Sequence, residues 1–326
     1  MTPVVITGAR GYIGNALTRR LAREGNALRL VSRSWSIKRP DADLKGDIEH
    51  ISADLREQGA WDRLLDGSDT IIHLSSHTDL LAAEADPEQD EHLNVDPVRS
   101  LVRAAERSGV RPLVVFASAV TIVGARHPSP VDENTQDNPC SVYDRHKLAC
   151  EAILKDAARK GILRTCSLRL ANVYGFGGDS VNANRGILNA MMKRACADRP
   201  LTLYGAGAYV RDFIHLDDVV EAFATAIKLE RGCDGEHYVI ATGQGHRLVE
   251  AFRLVVEETF RLTGRRVEIR HVPEPPDLHP IERRNFVGDS RLFRSASGWR
   301  PNVKLAAGIR DYLARTGKLS AHSVPT

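Results

Sequence analysis

Short apolar runs alternate with amphipathic segments along the first half of this chain. The runs are rich in β-branched residues and carry few polar breaks, which is typical of strands buried on both faces of a parallel sheet. Segments of about 10 to 15 residues with helical spacing of their apolar positions lie between them. The pattern predicts strands at 3–7, 27–32, 50–53, 70–76 and 113–118, and a helix over 96–108.

This alternation of strand and helix predicts an α/β fold with a doubly wound parallel sheet, the Rossmann arrangement. Right-handed crossovers then bring the carboxyl ends of the strands to one edge, where ligands bind. We expect residues 1–170, together with 212–230, to form this domain. Residues 171–326 are expected to form mainly a smaller C-terminal α/β lobe that closes over a substrate. Its predicted elements lie at 186–197, 201–205, 217–229, 248–263 and 266–272.

Composition and charge narrow the class of protein. Hydrophobic residues make up 42% of the 326 residues and charged residues 27%, which is ordinary for a globular protein. The net charge of +3 is not gathered into a basic cluster, so we expect no nucleic acid partner. No apolar run is long enough to cross a membrane, and the chain enters a strand with no leader. We therefore expect a cytoplasmic protein with no membrane partner.

The cysteines give no sign of a disulfide framework or a zinc site. Their number is odd, and they form neither a Cys-x2-Cys pair nor a Cys/His cluster. The five positions are Cys140, Cys150, Cys166, Cys196 and Cys233. We expect no bound metal.

A glycine-rich loop follows the first predicted strand and precedes an amphipathic segment at 15–23. Its glycines, Gly8, Gly11 and Gly14, have the spacing Gly-x2-Gly-x2-Gly. Such a loop lets a diphosphate approach the backbone at the start of a helix, where free N–H groups and the helix dipole favour an anion. A tight turn without a ligand is the alternative, but the strand before and the helix after the loop favour dinucleotide binding.

The end of the second strand bears on which dinucleotide is bound. Sites for NAD place an acidic residue there for the ribose hydroxyls, whereas a nearby Arg accommodates the 2′-phosphate of NADP. This chain has Ser32 and Arg33 at that position and no carboxylate. NADP is therefore favoured, although a solvent-facing loop arginine would explain the same residues.

Tyr143 and Lys147 lie four residues apart in a segment with helical periodicity. Side chains at i and i+4 of a helix lie on the same face. A fixed ammonium group beside a phenol favours the phenolate and lowers the phenol pKa toward the range of proton exchange near neutral pH. The pair can take a proton from a substrate hydroxyl while hydride leaves the same carbon. A surface helix with an ordinary aromatic–aliphatic contact gives the same spacing, so the pair alone decides nothing.

Several further motifs occur with these two in a consistent order. They are Asp54-Leu55, the strand end His73-Leu74-Ser75-Ser76, Asn94, the segment 118–124, the strand and loop 168–175, Arg211-Asp212-Phe213 within 211–219, and Gly298-Trp299-Arg300-Pro301. With these motifs the chain resembles the extended short-chain dehydrogenases/reductases, in their nucleotide-sugar epimerase/dehydratase group. The resemblance covers roughly 3–313.

The resemblance implies roles for individual residues. Tyr143 would exchange the proton, and Lys147 would hold the nicotinamide ribose and lower the Tyr143 pKa. Asn172, Arg211 and Arg284 would contact the diphosphate of the sugar nucleotide. A salt bridge with Asp212 is the alternative for Arg211, and for Arg284 a role in the charged run 282–284 is equally open. The expected cofactor contacts are Gly8, Arg10, Gly11, Tyr12, Ile13, Gly14, Ser32, Arg33, Asp54, Leu55, Leu74, Ser75, Ser76, Asn94, Tyr143 and Lys147.

The chain departs from the family pattern at Ala119. The family places a Ser or Thr five residues before the glycine that ends the 118–124 segment, and Ala119 stands there. If the chain is still extended, Thr121 shares the face of Ala119 and Ser118 faces the other way. Thr121 or Ser118 then replaces the missing hydroxyl, or that group is absent and the proton step is slower.

A second departure bears on the reaction. Family members that eliminate water or decarboxylate carry acidic residues just after that Ser/Thr, where this chain has Val120 and Thr121. Dehydration then lacks an obvious proton donor. The sequence therefore predicts an epimerase, an isomerase that moves hydride to nicotinamide and back to the opposite face of a keto-sugar. The alternatives are an NADP-dependent nucleotide-sugar reductase or dehydrogenase, and a dinucleotide-sensing protein with weakened catalysis.

The expected partners follow from this interpretation. We expect a tightly bound NAD or NADP and a nucleotide-sugar substrate, whose specificity depends on loops such as 176–184. The helices near 96 and 143 have apolar residues on more than one side, including Leu148, Ile153 and Leu154. This suits the homodimer that the resemblance implies, and a fully buried helix explains it equally.

Overall fold

The computed structural model describes residues 2–33, 44–57, 59–178, 180, 186–229 and 231–321, with the backbone alone over 318–321. The part of the 176–184 loop that includes 179 and 181–184 lies outside these residues. The strands are β1 Val4–Thr7, β2 Leu28–Ser32, β3 Ile48–Ser52, β4 Thr70–His73, β5 Leu113–Ala119, β6 Arg164–Leu170, β7 Asn172–Tyr174, β8 Leu201–Tyr204, β9 Val210–His215, β10 Asp234–Ile240, β11 Gly245–Arg247 and β12 Ile269–Val272. The helices are α1 Tyr12–Arg23, α2 Ala60–Leu65, α3 Leu80–Ala85, α4 Pro87–Asn94, α5 Asp96–Ser108, α6 Val142–Arg159, α7 Ile187–Cys196, α8 Leu216–Ala226, α9 Leu248–Thr263, α10 Arg291–Ser297 and α11 Leu305–Ala321.

Seven parallel strands form the main sheet, in the order β10-β6-β5-β4-β1-β2-β3. The chain starts in β1, runs outward through β2 and β3, and returns to β4 on the other side of β1. The order of the strands therefore reverses between β1 and β4, and ligands of such sheets bind at this point. The predicted doubly wound α/β fold is confirmed.

Successive side chains of β1 pack into two separate core clusters, one on each face of the sheet. Val4 and Ile6 pack into the cluster that contains Leu17 of α1 and Val219 of α8. Val5 points to the opposite face of the sheet and joins the cluster of α5 and α6. Because both faces of this strand are covered, its sequence is continuously apolar, and the helices hold the strand ends in fixed positions.

The second lobe contains two smaller sheets, one of β11-β9-β7 and one of β12-β8. Its core gathers Phe213, Met192, Phe252 and Ile309 from β9, α7, α9 and α11. The chain also returns to the main sheet after leaving it, because β10 pairs with β6 in parallel. The predicted division into domains did not include this return of β10. The division itself stays a prediction.

The predicted elements differ from the structure at their ends, and several helices were not predicted. The helix predicted over 248–263 coincides with α9, and the strand predicted at 27–32 begins one residue later. Helices α2, α3, α4, α10 and α11 were not predicted. Leu154 is buried within the chain, while Leu148 and Ile153 are half-buried, so burial in the core accounts for Leu154. The homodimer stays a prediction.

A buried carboxylate joins the second lobe to the edge of the main sheet. Asp212 of β9 is fully buried, and its carboxylate accepts hydrogen bonds from Thr242 N, Gly243 N and Gly288 N at 3.0, 2.9 and 3.2 Å. The Thr242 hydroxyl donates to the same carboxylate. These donors belong to the segments that follow β10 and precede α10.

We predict that Asp212→Ala lowers the free energy of unfolding by about 3 kcal/mol or more, since it leaves several buried N–H groups without an acceptor. Urea unfolding followed by circular dichroism measures the change. Asp156→Ala serves as the control, because the Asp156 carboxylate is exposed and pairs only with Lys160 one helical turn away. Equal losses in the two variants would contradict this account of Asp212.

Candidate active site

The glycine-rich loop is shaped by close backbone contacts. Gly8 has φ +66°, and a Cβ added there would lie 2.9 Å from both Leu74 C and Ser75 N. A Cβ added at Gly14 would lie 2.2 Å from Gly8 O. Helix α1 begins directly after Gly11, and no acidic side chain lies in its first turn. The loop therefore presents the free N–H groups of a helix start, as a diphosphate site requires.

A cavity of about 320 Å³ opens beside this loop, at the point where the strand order reverses. Ten of the expected cofactor residues line it: Gly8, Arg10, Gly11, Ser32, Arg33, Asp54, Leu55, Leu74, Ser75 and Ser76. Its other lining residues were not predicted: Val31, Ala53, Arg56, His77, Thr78, Leu93 and Pro97. The glycines, at which an added Cβ would clash with the backbone, and the polar residues at the strand ends suit the binding of a dinucleotide. Of the missed residues, His77 and Thr78 directly follow a predicted strand end, which is the signal that could have found them.

Three guanidinium groups line this cavity together with one carboxylate. Arg56 binds both oxygens of Asp54 through Nε and Nη2, at 2.8 Å for the Nε contact to Oδ1. These hydrogen bonds, with the charge of Arg33 nearby, lower the pKa of Asp54 to about 2. Asp54, the only acidic residue among the cavity's lining residues, is thus already paired with Arg56. Arg10 and Arg33 add two further positively charged side chains to the lining.

Several other expected cofactor residues stabilise the segments around the cavity. Asn94 Oδ1 accepts hydrogen bonds from Ser76 Oγ and His77 N, both at 2.8 Å, so Asn94 fixes the loop that follows β4. The Tyr12 hydroxyl donates to Gly175 O at 2.8 Å and so links the glycine-rich loop to the second lobe. Ile13 packs against the core of α1. Six of the expected cofactor residues, Tyr12, Ile13, Gly14, Asn94, Tyr143 and Lys147, are not among the cavity's lining residues.

The structure brings Tyr143 and Lys147 together on one face of α6. Ser141 caps the helix, and its hydroxyl accepts a hydrogen bond from Asp144 N at 3.0 Å. Lys147 Nζ lies 5.7 Å from the centre of the Tyr143 ring and donates to Ala117 O at 2.8 Å. Tyr143 is half-buried, whereas Lys147 is only 4% exposed. The phenol is therefore accessible beside an ammonium group that is held in place.

Lys147 lies beside an aromatic ring and near the acidic side chains of Asp90 and Glu151, which favour its charge. Its Nζ lies 4.7 Å from the centre of the Phe116 ring. Burial lowers the pKa of Lys147 to about 8. Nearby His73 is buried between Phe116 and Trp61, and burial and the charge of Lys147 lower its pKa to about 3. His73 is therefore neutral near pH 7.

The structure separates the two hydroxyl groups that flank Ala119. Strand β5 ends at Ala119, and a 3₁₀ helix over Val120–Val123 follows, so the chain is not extended at Thr121. The hydroxyl of Ser118 donates to Glu151, which also binds Arg169 in a buried cluster. The hydroxyl of Thr121 instead donates to Asp144.

Asp144 is a residue that sequence reasoning missed. It follows Tyr143 directly, is 1% exposed, and accepts hydrogen bonds from the hydroxyls of Thr121 and Ser141. The expectation that no carboxylate accompanies Thr121 considered only residues near it in sequence. Asp144 is 23 residues away along the chain, and only the packing of α6 against the 3₁₀ helix brings the two together.

Two buried arginines of the second lobe lie close to each other. Arg211 Nη2 donates to Glu282 O at 2.6 Å, and its Nη1 donates to Arg284 O. Arg284 Nη1 donates to Ile281 O at 2.7 Å, and its Nη2 lies 3.5 Å from Asn172 Oδ1. Burial and the charge of Arg284 lower the pKa of Arg211 to about 9. The structure thus groups Asn172, Arg211 and Arg284, with two guanidinium groups that mainly meet carbonyl oxygens.

The described residues contain neither a metal-binding cluster nor a helix able to span a membrane. No group of three or more His, Cys, Asp or Glu residues there is arranged to hold a metal ion. None of the described helices combines the length and hydropathy needed to cross a bilayer. The cytoplasmic location stays a prediction.

Comparison with known proteins identifies similar chains over almost the whole length. The family model described as "NAD dependent epimerase/dehydratase family" matches residues 4–241. The UDP-glucose 4-epimerase of Mycolicibacterium smegmatis is 28% identical over 313 residues, which cover 94% of this chain and 95% of that protein. The dTDP-glucose 4,6-dehydratase of the same organism is 27% identical over 322 residues, covering 94% and 91%. The crystal structure of Thermus thermophilus UDP-glucose 4-epimerase in complex with NAD matches with a TM-score of 0.79 and 25% identity, covering 96% and 98%.

We predict that buried Lys147 makes stability rise with pH above about pH 8. Its folded pKa of about 8 lies below the ordinary value of 10.5, so the unfolded chain binds more protons between these values. Unfolding therefore becomes less favourable as pH rises through this window, by about 3 kcal/mol in all. Urea unfolding at several pH values, without added cofactor, should show the stability of the wild type rising with pH relative to that of Lys147→Met. The same pH dependence in both proteins would contradict the prediction.

Proposed function

Since the chain belongs to the NAD dependent epimerase/dehydratase family, we propose that it epimerises the sugar of a nucleoside diphosphate sugar. The reaction passes through a transient keto-sugar and uses a nicotinamide dinucleotide that stays tightly bound. The observation that carries the proposal is the pairing of half-buried Tyr143 with buried Lys147 beside the ends of the sheet strands. A site that handles one proton and one hydride suits the oxidation of an alcohol to a ketone and the reduction of that ketone.

In this proposal Tyr143 takes the proton of the reacting hydroxyl and later returns it. Lys147 stabilises the phenolate electrostatically and donates to the nicotinamide ribose. Its charge acts strongly because the surrounding Phe116 and Ala117 exclude water. A bound nicotinamide would supply the hydride acceptor for the oxidation and the hydride donor for the reduction. The chain holds the reacting carbon between these groups, and the keto-sugar turns its other face before reduction.

The diphosphate of the substrate is assigned to Arg211 and Arg284, with Asn172 beside them. Guanidinium groups match phosphate oxygens in geometry and charge. Burial of two guanidinium groups against carbonyl oxygens is costly, and a diphosphate supplies the missing negative charge. Arg284 Nε, which is buried and has no hydrogen-bond partner among the described residues, is the donor best placed to gain from such a ligand.

Epimerisation is favoured over elimination of water because of the state of the nearest carboxylate. The two oxygens of Asp144 already accept hydroxyl protons from Thr121 and Ser141. Elimination requires an acid that protonates the departing hydroxyl. Asp144 in this arrangement is an acceptor, so the site offers Tyr143 as its one exchanging group.

The substrate class follows from the relatives. Those compared above are named for UDP-glucose and dTDP-glucose, and act at position 4 of the sugar according to their names. We therefore propose a nucleoside diphosphohexose and reaction at position 4, with UDP-glucose as the first compound to test. Dehydration would be recognised by a product lighter by one water.

NADP is the proposed dinucleotide. Arg10 and Arg33 line the cavity, and the lining residues at the end of β2, where Arg33 lies, include no carboxylate. A guanidinium group at this strand end suits a 2′-phosphate. The Thermus thermophilus structure compared above contains NAD, so the arginines of this chain carry this part of the proposal.

The same arginines favour a second candidate function, an NADP-dependent nucleotide-sugar reductase. A reductase consumes added NADPH and needs a cofactor that exchanges, whereas an epimerase shows no net turnover of cofactor. Incubation of the purified protein with UDP-glucose and NADPH separates the two, by the change in absorbance of the nicotinamide and by the products.

We predict that Tyr143→Phe slows epimerisation about 1,000-fold, because the variant lacks the proton-exchanging oxygen. Nuclear magnetic resonance of the nucleotide sugar measures the rate, and dinucleotide binding should be almost unchanged. Tyr204→Phe is the matched control, since Tyr204 is 42% exposed on β8. A Tyr143→Phe protein with wild-type activity would contradict the mechanism.

We predict that Arg33→Asp weakens binding of NADP relative to NAD about 10- to 100-fold, the effect expected for loss of a charged hydrogen bond. Calorimetric titration of the cofactor-free protein with each dinucleotide measures the ratio. Arg159→Asp is the control, because Arg159 is exposed at the end of α6. An unchanged ratio in Arg33→Asp would count against a 2′-phosphate site at this arginine.

A further inference from the structure

A chain of hydrogen bonds runs beside the proposed proton-exchanging residue. Thr121 Oγ1 donates to Asp144 Oδ1, and Ser141 Oγ donates to Asp144 Oδ2 at 2.6 Å. Asp144 immediately follows Tyr143 in the first turn of α6. Because the Thr121 proton is held by a carboxylate, the lone pairs of Thr121 Oγ1 remain available to accept another hydrogen bond.

The hydrogen-bonded residues lie close to Ala119 along the chain. Ala119 ends β5, and Thr121 lies in the 3₁₀ turn that follows it. Thr121 is half-buried. Ser118, the other neighbouring hydroxyl, donates to Glu151 in a separate buried cluster.

We propose that Asp144 is a positioning residue for proton exchange at Tyr143. It holds the hydroxyl proton of Thr121, so that Thr121 Oγ1 accepts a hydrogen bond from the reacting hydroxyl of the substrate. This hydrogen bond replaces the one that a hydroxyl at position 119 would make. The proposal rests on the proposed function, and it assigns no proton transfer to Asp144 itself.

Charged and titratable groups face Asp144 from both lobes. Arg284 and His279 of the second lobe and Cys140 of the preceding segment interact with its charge. Glu84 of α3 lies close by, since it accepts a hydrogen bond from Val142 N at 2.6 Å and lies 3.7 Å from His279 Nε2. Burial outweighs the favourable partners and raises the pKa of Asp144.

The raised pKa of Asp144 predicts how kcat/KM depends on pH. Protonation of Asp144 as the pH falls removes the acceptor of the Thr121 proton, and Thr121 is then no longer fixed as an acceptor. The wild-type value of kcat/KM should therefore fall on the acid side. Asn at position 144 still accepts the Thr121 proton through its amide oxygen but does not titrate.

The ordinary alternative is a carboxylate that only caps the start of α6. An acid in the first turn stabilises a helix through its dipole. In that case Asp144→Asn alters stability slightly and leaves the acid side of the pH profile as it is in the wild type. The pH profile therefore separates a cap from a positioning residue.

The first experiment compares variants of the holoenzyme with UDP-glucose as substrate. Asp144→Asn should keep the plateau of kcat/KM within about fivefold, since one hydrogen bond is exchanged for a similar one, and should lose the acid-side fall. Asp144→Ala and Thr121→Val should each lower kcat about 100-fold, and the double variant should be no slower than either. Asp156→Asn, an exposed carboxylate of the same helix, is the control. A wild-type acid limb in Asp144→Asn, or full activity in Thr121→Val, would overturn the proposal.

A second measurement does not depend on turnover. The carboxyl band of Asp144 in infrared spectra, assigned by its loss in Asp144→Asn, gives the pH midpoint of its titration. Thr121→Val should raise this midpoint, because the carboxylate loses a hydrogen-bond donor. An unchanged midpoint would overturn the proposal. Inactivity of the wild type toward UDP-glucose would count against the proposed function alone, and the infrared result then decides the role of Asp144.

Discussion

The rest of the site depends on one ammonium group that is held away from water. Lys147 is fixed by Ala117 O and the Phe116 ring at the end of β5, and it lies across from the Tyr143 phenol. Burial makes its charge costly, yet the same burial makes that charge effective on a neighbouring phenolate. His73 nearby is kept neutral near pH 7 by burial and by the charge of Lys147, so its ring adds no positive charge.

The sheet supplies the rigidity that this arrangement needs. Strands β1 and β4 are covered on both faces and pair in parallel at the point where the strand order reverses. There, Thr7 Oγ1 accepts hydrogen bonds from Leu74 N and Ser75 N at 3.1 Å each. Asn94 fixes the next part of the same loop. On the other side of the cleft, Asp212 holds the second lobe to the segments that follow β10. Both halves of the site therefore contain buried polar groups that accept hydrogen bonds from backbone N–H groups.

Local sequence signals predicted much of the fold and part of the site. The apolar run of β1, the glycine spacing and the four-residue interval between Tyr143 and Lys147 are each complete within a few residues. The rest depends on contacts between distant segments. Ser118 meets Glu151 from 33 residues away, and β10 joins the sheet long after β6. Thr121 was placed by assuming an extended chain, and the 3₁₀ turn instead aims it at Asp144.

The most direct test uses UDP-glucose that carries deuterium at position 4 of the glucose. It is incubated with the purified protein without added cofactor. The account predicts formation of the 4-epimer with the deuterium retained at the same carbon, because the bound nicotinamide takes the hydride and returns it. Mass spectrometry and nuclear magnetic resonance of the recovered nucleotide sugars measure both features. An epimer that has lost the deuterium to solvent would contradict the account, as would a deuterated cofactor released in proportion to substrate consumed.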